Sequence, residues 1–202
     1  MNLSKLAAVA LACLAIGAIG ASGASAKVCS TEGTGAACGT GHGNVYTGPI
    51  DFSTSSVSLT SGFSTITCSE SEGKGEITSG ESGAGTITSL TFGGCKDNLG
   101  NTCTATSSAN KAAPWEFTTT LGANTNGLIH IKKSTTEWSC VVYVCKYTTG
   151  EFTGLVEGGE TAMIAFNKVA ETKETGSSSL CSATATISGS FKITTPDSLF
   201  IT

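Results

Sequence analysis

Two histidines, a scatter of carboxylates and nine cysteines are the groups in this sequence that could do chemistry. A nucleophilic triad needs a histidine held by an acid within reach of a nucleophile. His130 alternates with apolar neighbours in Leu128-Ile129-His130-Ile131-Lys132, the pattern of a partly exposed strand residue. His42 sits in the glycine loop Gly39-Thr40-Gly41-His42-Gly43, which lacks the strand-to-helix setting of a dinucleotide loop. There is no Gly-x-Ser-x-Gly elbow, no His-Glu-x-x-His and no P-loop, and Gly80-Glu81-Ser82-Gly83 falls short of the first. No catalytic residue and no cofactor are assigned.

Two carboxylates can serve as acid and base in glycoside hydrolysis. Glu70, Glu72 and Glu76 cluster in one stretch, and Glu157 and Glu160 flank Gly158-Gly159. A hydrolase built this way needs two distant acids, such as Glu76 and Glu157, to converge about 5 to 9 Å apart in a concave site. Solvated turn acids are the plainer reading. Asp97, Asn98 and Asn101 could offer oxygens to calcium, yet an Asx turn explains them more simply. Cysteine and histidine spacings do not fit zinc, and no metal is assigned. Trp115 and Trp138 are the candidate ligand-binding residues, as a sugar-stacking platform, with burial beside a disulfide as the competing role.

The cysteines point to a compartment. Met1 to Lys5 gives a short positive start, Leu6 to Ile19 is apolar, and Ala24-Ser25-Ala26 fits the small-x-small pattern of a signal peptidase site. Residues 1–26 therefore read as a cleaved signal helix, too short to stay as an anchor of about 20 apolar residues. Discarding Cys13 with the leader leaves eight of the nine cysteines: Cys29, Cys38, Cys68, Cys95, Cys103, Cys140, Cys145 and Cys181. An even set behind a signal points to disulfides and a secreted, extracellular protein. Short turning segments suggest Cys29–Cys38 and Cys95–Cys103. A hairpin with a four-residue loop would pair Cys140 with Cys145, leaving Cys68–Cys181.

The elements that must position these groups are β-strands. Residues 27–55 read as an irregular Gly/Thr-rich segment, and 56–202 as one domain of about twelve short strands, among them Trp115 to Leu121, Phe152 to Glu157 and Thr161 to Val169, separated by Gly-, Asn- and Asp-bearing turns. Turns are placed at Gly73 and Gly75 among others. No stretch holds a helical period. The expectation is an all-β, antiparallel β-sandwich or jelly-roll-like fold, stabilised by disulfides. The net charge is −4, or −5 once Lys5 leaves with the leader, and there is no arginine. Nucleic acid is thereby disfavoured as a partner, and so is the membrane after cleavage.

Ile66-Thr67-Cys68, Gly75-Glu76-Ile77-Thr78, Ile87 to Phe92 with Cys95, Pro114-Trp115, and Cys140 with Cys145-Lys146-Tyr147 form a recognisable arrangement. Gly158-Gly159, Ala162 to Phe166, Cys181 and Phe191 to Pro196 continue it. From about Val57 to Thr202 it resembles a group of secreted proteins of unknown function from soil actinobacteria. The resemblance implies bacterial export and one β domain, with no residue roles to carry over. The functional expectation is a non-enzymatic structural or binding module, with a glycan or another extracellular protein as partner. A carboxylate hydrolase and an inhibitor presenting the Cys95 to Cys103 loop are the alternatives.

Overall fold

A computed structural model of the chain describes residues 24–30, 38, 45–62, 64–122 and 126–202. Among them lie sixteen strands and no helix. In chain order they are β1 (Val28–Cys29), β2 (Gly48–Thr54), β3 (Val57–Ser61), β4 (Ser64–Cys68), β5 (Glu70–Ser79), β6 (Ala84–Gly93), β7 (Lys96–Asp97) and β8 (Thr104–Ser107). There follow β9 (Trp115–Leu121), β10 (Asn126–Ile131), β11 (Ser134–Cys140), β12 (Tyr143–Thr149), β13 (Phe152–Glu157), β14 (Met163–Lys173), β15 (Thr184–Thr195) and β16 (Phe200–Ile201).

The sheet closes on itself. Going round, β15, β2, β5, β6, β8, β11, β12 and β14 are hydrogen-bonded in turn, and β14 returns to β15, an eight-stranded antiparallel barrel. The all-β, antiparallel, disulfide-bonded character is as expected, and closure gives it the form of a barrel where a jelly-roll-like sandwich was the leading expectation. Closure depends on two long strands that change partners along their length. β6 pairs with β9 through 85–87 and with β8 at Thr91, while β14 pairs with β13 through 163–165 and with β12 through 172–173. β9, β10 and β13 thus form a second bridge between β6 and β14. Alternation along a sequence reports which face a residue takes and carries no information on such branching.

Bulges in these same strands decide which side chains enter the barrel. Two residues of β14, Asn167 and Lys168, oppose the single Ser188 of β15, and Lys168 has φ 51°. Ile164 and Phe166 face inward before the bulge, and Val169 and Glu171 after it. Without the extra residue, Glu171 would point to solvent, because side-chain direction has a period of two. A register shift between Lys74 and Gly75 likewise brings Gly85 and Ile87, then Leu90 and Phe92, to the interior from β6.

Gly73 and Gly75, expected in turns, lie in the middle of β5 on its inward face. There a Cβ on Gly73 would run into the Phe52 ring, so a missing side chain on β5 admits a large one from β2. Of the expected irregular segment 27–55, residues 31–37 and 39–44 lie outside the described residues, and its described ends are paired in sheet. β2 is a stave of the barrel between β5 and β15, and β1 pairs with β16. The boundary read at Ala26 also falls inside paired chain: Ser25 bridges Thr120, the Ala26 N–H donates to the Thr119 carbonyl at 3.2 Å, and Ala26 is 0% exposed. Of the expected signal helix, residues 1–23 lie outside the described residues.

Four disulfides tie the strands: Cys29–Cys38, Cys68–Cys95, Cys103–Cys140 and Cys145–Cys181. The last three replace the pairings Cys95–Cys103, Cys140–Cys145 and Cys68–Cys181 expected from spacing. Strand register explains each change. The pair Thr67 with Lys96 sets Cys68 opposite Cys95, Cα atoms 3.8 Å apart, and Ser139 with Thr104 sets Cys140 opposite Cys103 at 4.3 Å. The β11–β12 hairpin turns in two residues, Val141 and Val142, so Cys140 faces Tyr143 and Cys145 faces Trp138. Cys145 then meets Cys181, whose loop is held on β12 by Ser178 N–H to Val144 O and Lys146 N–H to Ser177 Oγ, both 2.9 Å.

Candidate functional site

The barrel encloses an apolar cavity. Its lining includes Phe52, Ile87, Leu90, Phe92, Trp115, Ile131, Phe152, Phe166, Ile187 and Phe191. Unfilled space between these side chains, counting its open part, is about 530 Å³. Gly154 contributes by what it lacks, since a Cβ there would displace the Phe166 ring that forms part of the wall.

One wall of this space carries a carboxyl group. Glu171, 2% exposed, is the single buried charged side chain among the described residues. Thr136 and Trp138 alternate inward on β11, so Trp138 Nε1–H donates to Thr136 Oγ1 at 2.8 Å, and the Thr136 hydroxyl donates onward to Glu171 Oε1 at 3.3 Å. The relay has a fixed direction. Indole nitrogen can only donate, so Thr136 accepts there and its own proton goes to Glu171. Glu171 Oε2 is left buried without a partner. Burial pushes the carboxyl up from 4.5 to about 7, against the smaller lowering by the Thr136 hydrogen bond.

Trp115 and Trp138 cannot form a sugar-stacking platform. They are 7% and 0% exposed, Trp115 Nε1 donates to Ser108 Oγ at 3.0 Å, and the Trp138 ring packs on Phe92 with centroids 5.2 Å apart. Trp115 instead lines the cavity from within, while Trp138 supports Glu171 through Thr136.

The carboxylates singled out for hydrolysis do not converge in a site. Glu70, Glu72 and Glu76 project from the outer face of β5, and Glu157 from the outer face of β13. Glu160 is also exposed. His130 is half-buried on β10, its Nε2 2.9 Å from Thr120 Oγ1 and its Nδ1 3.2 Å from Thr153 Oγ1. His42 lies outside the described residues.

Asp97 closes an Asx turn. Its Oδ1 accepts the Leu99 and Asn101 N–H groups and its Oδ2 accepts from Asn101 Nδ2, all at 2.9 Å, and the Asn101 side chain leads in holding its carboxyl below the usual range. Asp97 also lies near the sulfurs of Cys103 and Cys140, but those sulfurs are joined in a disulfide and offer no thiolate.

Spacing did not reveal Glu171, because the predicted strand over 161–169 stops short of it. The available signal was Phe166 and Val169, two apolar residues three apart in a strand, which mark a bulge and the change of phase that turns Glu171 inward.

Fold and site together define a disulfide-tied, closed all-β barrel with an apolar interior and, among the described residues, one buried carboxyl group. Comparison with protein-family models, curated proteins and solved structures finds no match to this chain.

Proposed function

We propose that this protein is a secreted, non-enzymatic binding module whose binding site is the interior of the barrel. The observation that carries this reading is the apolar cavity, since concave apolar spaces with few polar groups are the usual form of small-molecule sites. Four intramolecular disulfides suit an oxidising compartment, in keeping with the leader-like start and the resemblance to exported actinobacterial proteins. The test is calorimetry of the exported protein with benzene and short alcohols, repeated on Leu90→Trp, which fills the cavity from its wall. Saturable binding that Leu90→Trp abolishes is expected. Lack of saturable binding by any guest overturns the proposal.

The loop between Cys95 and Cys103 favours a second reading, an inhibitor of an extracellular hydrolase. It is tied at one end to Cys68 and at the other to Cys140, its turn is locked by Asp97, and Leu99 at its tip is 81% exposed. Assay against a panel of secreted proteases checks it, with Leu99→Asp expected to abolish any inhibition. No inhibition across the panel removes this reading.

A further inference from the structure

We infer that the guest of the barrel is a small primary amine with an aliphatic or aromatic body, its ammonium group bound to Glu171 Oε2. This rests on the interior being the binding site.

Three observations lead to it. First, Glu171 is one of the residues that line the cavity, and one of its oxygens is unused. The Thr136 hydroxyl is committed to Glu171 Oε1, Ser134 Oγ lies 2.9 Å from Thr149 Oγ1, and Ser188 Oγ accepts the Lys168 N–H at 2.9 Å. Among the described residues only Glu171 Oε2 is a buried side-chain polar atom without a partner. Second, an ionised carboxylate is an acceptor alone, so what completes it must be a donor. Third, no cation lines the cavity. The groups that face Glu171 are Thr136 on β11, Ala185 opposite it on β15 and, on β12, Tyr147, a phenol that carries no positive charge. Lys173, two residues along the same strand, donates to Cys181 O at 3.0 Å.

A buried carboxylate without a counter-charge is costly, and a cation that arrives with the guest offsets that cost. An alcohol could supply the hydrogen bond but not the charge. A fatty-acid-type guest would set carboxylate against carboxylate. The limited space between the lining side chains selects a slim body of a few carbons or a single ring, with phenylalanines in the wall around it.

The probes are n-pentylamine, 1-pentanol and pentanoate, titrated calorimetrically into the exported, disulfide-intact protein at pH 7.5. Pentylamine is expected to bind at least about tenfold more tightly than pentanol, the scale of a hydrogen bond to a charged group, and pentanoate not to bind. In Glu171→Gln the amine should lose that advantage while pentanol stays within about twofold. Wild type at pH 5, with the carboxyl protonated, should show the same loss, a readout that does not depend on how the variant folds. Equal binding of amine and alcohol, or unchanged amine affinity in Glu171→Gln, overturns the inference while leaving the cavity reading standing. Binding of none of the three overturns both.

Discussion

Replacing Glu171 by Gln should stabilise the barrel at pH 8 by far more than at pH 4. The folded carboxyl titrates at about 7 and the reference group at 4.5. Folded protein therefore holds this proton more tightly than the unfolded chain, and unfolding releases it between those values. Glu171 costs nothing below about pH 4, costs progressively more as pH rises through the window, and reaches a constant penalty above about pH 8. At 1.36 kcal/mol per pH unit, the difference of roughly 2.5 units corresponds to about 3 kcal/mol. Gln keeps a carbonyl for the Thr136 hydroxyl and removes the charge. Its amide adds an unpaired buried donor whose cost is the same at both pH values. The informative quantity is thus the change in the variant's advantage between pH 4 and pH 8, measured by urea unfolding with disulfides intact. In melting temperature it amounts to roughly 6–12 °C for a domain of this size. An advantage that does not change with pH would refute the placement of an uncompensated carboxyl inside the barrel.

Three further outcomes follow from the same structure. Non-reducing peptide mapping should recover Cys68–Cys95, Cys103–Cys140 and Cys145–Cys181, and replacing Cys103 and Cys140 together by Ala should cost about 4 kcal/mol by the chain-entropy relation, read from denaturant midpoints. Gly73→Ala should destabilise by about 1–3 kcal/mol, because the methyl group must displace the Phe52 ring, and differential scanning calorimetry checks it. A chain beginning at Lys27 should melt below one beginning at Ala24. It loses the bonds from Ala26 N to Thr119 O and from Leu121 N to Ala24 O, together with a fully buried methyl, about 1–3 kcal/mol in all.

Strands were legible wherever alternation was clean. Trp115 to Leu121 and Phe152 to Glu157 emerge with the predicted limits, since β-branched and aromatic residues there alternate with polar ones between turn residues. The interior glycines of β5 were not legible, because glycine marks a turn and makes room for a neighbouring ring with equal ease, and Phe52 lies about twenty residues away in sequence. Three of the four expected disulfide pairings failed for a related reason. Local closure makes neighbours in sequence attractive partners, whereas here strand register decides, joining Cys103 to Cys140 across 37 residues. Glu171 was hidden by one bulge residue, whereas the tryptophans take the buried role that was weighed against sugar stacking. They are interior supports of a cavity rather than a surface for sugars.

The position of β15 has a consequence for how the molecule comes into being. This strand hydrogen-bonds to β2 and β3 on one side and to β14 on the other, so it is the last long stave of the barrel, and residues 200–201 then pair with 28–29. A chain that emerges amino end first, from a ribosome or a membrane channel, holds an open sheet with exposed edges until residue 195 has arrived. Hairpins such as β11–β12 can form early, and Cys103 can meet Cys140 once β8 pairs with β11. Cys145 must wait for Cys181, and the ring of hydrogen bonds for β15. Completion is therefore a late, long-range event, the kind that loop-closure entropy makes slow. Until then the barrel has no inside, and a guest has nothing to bind.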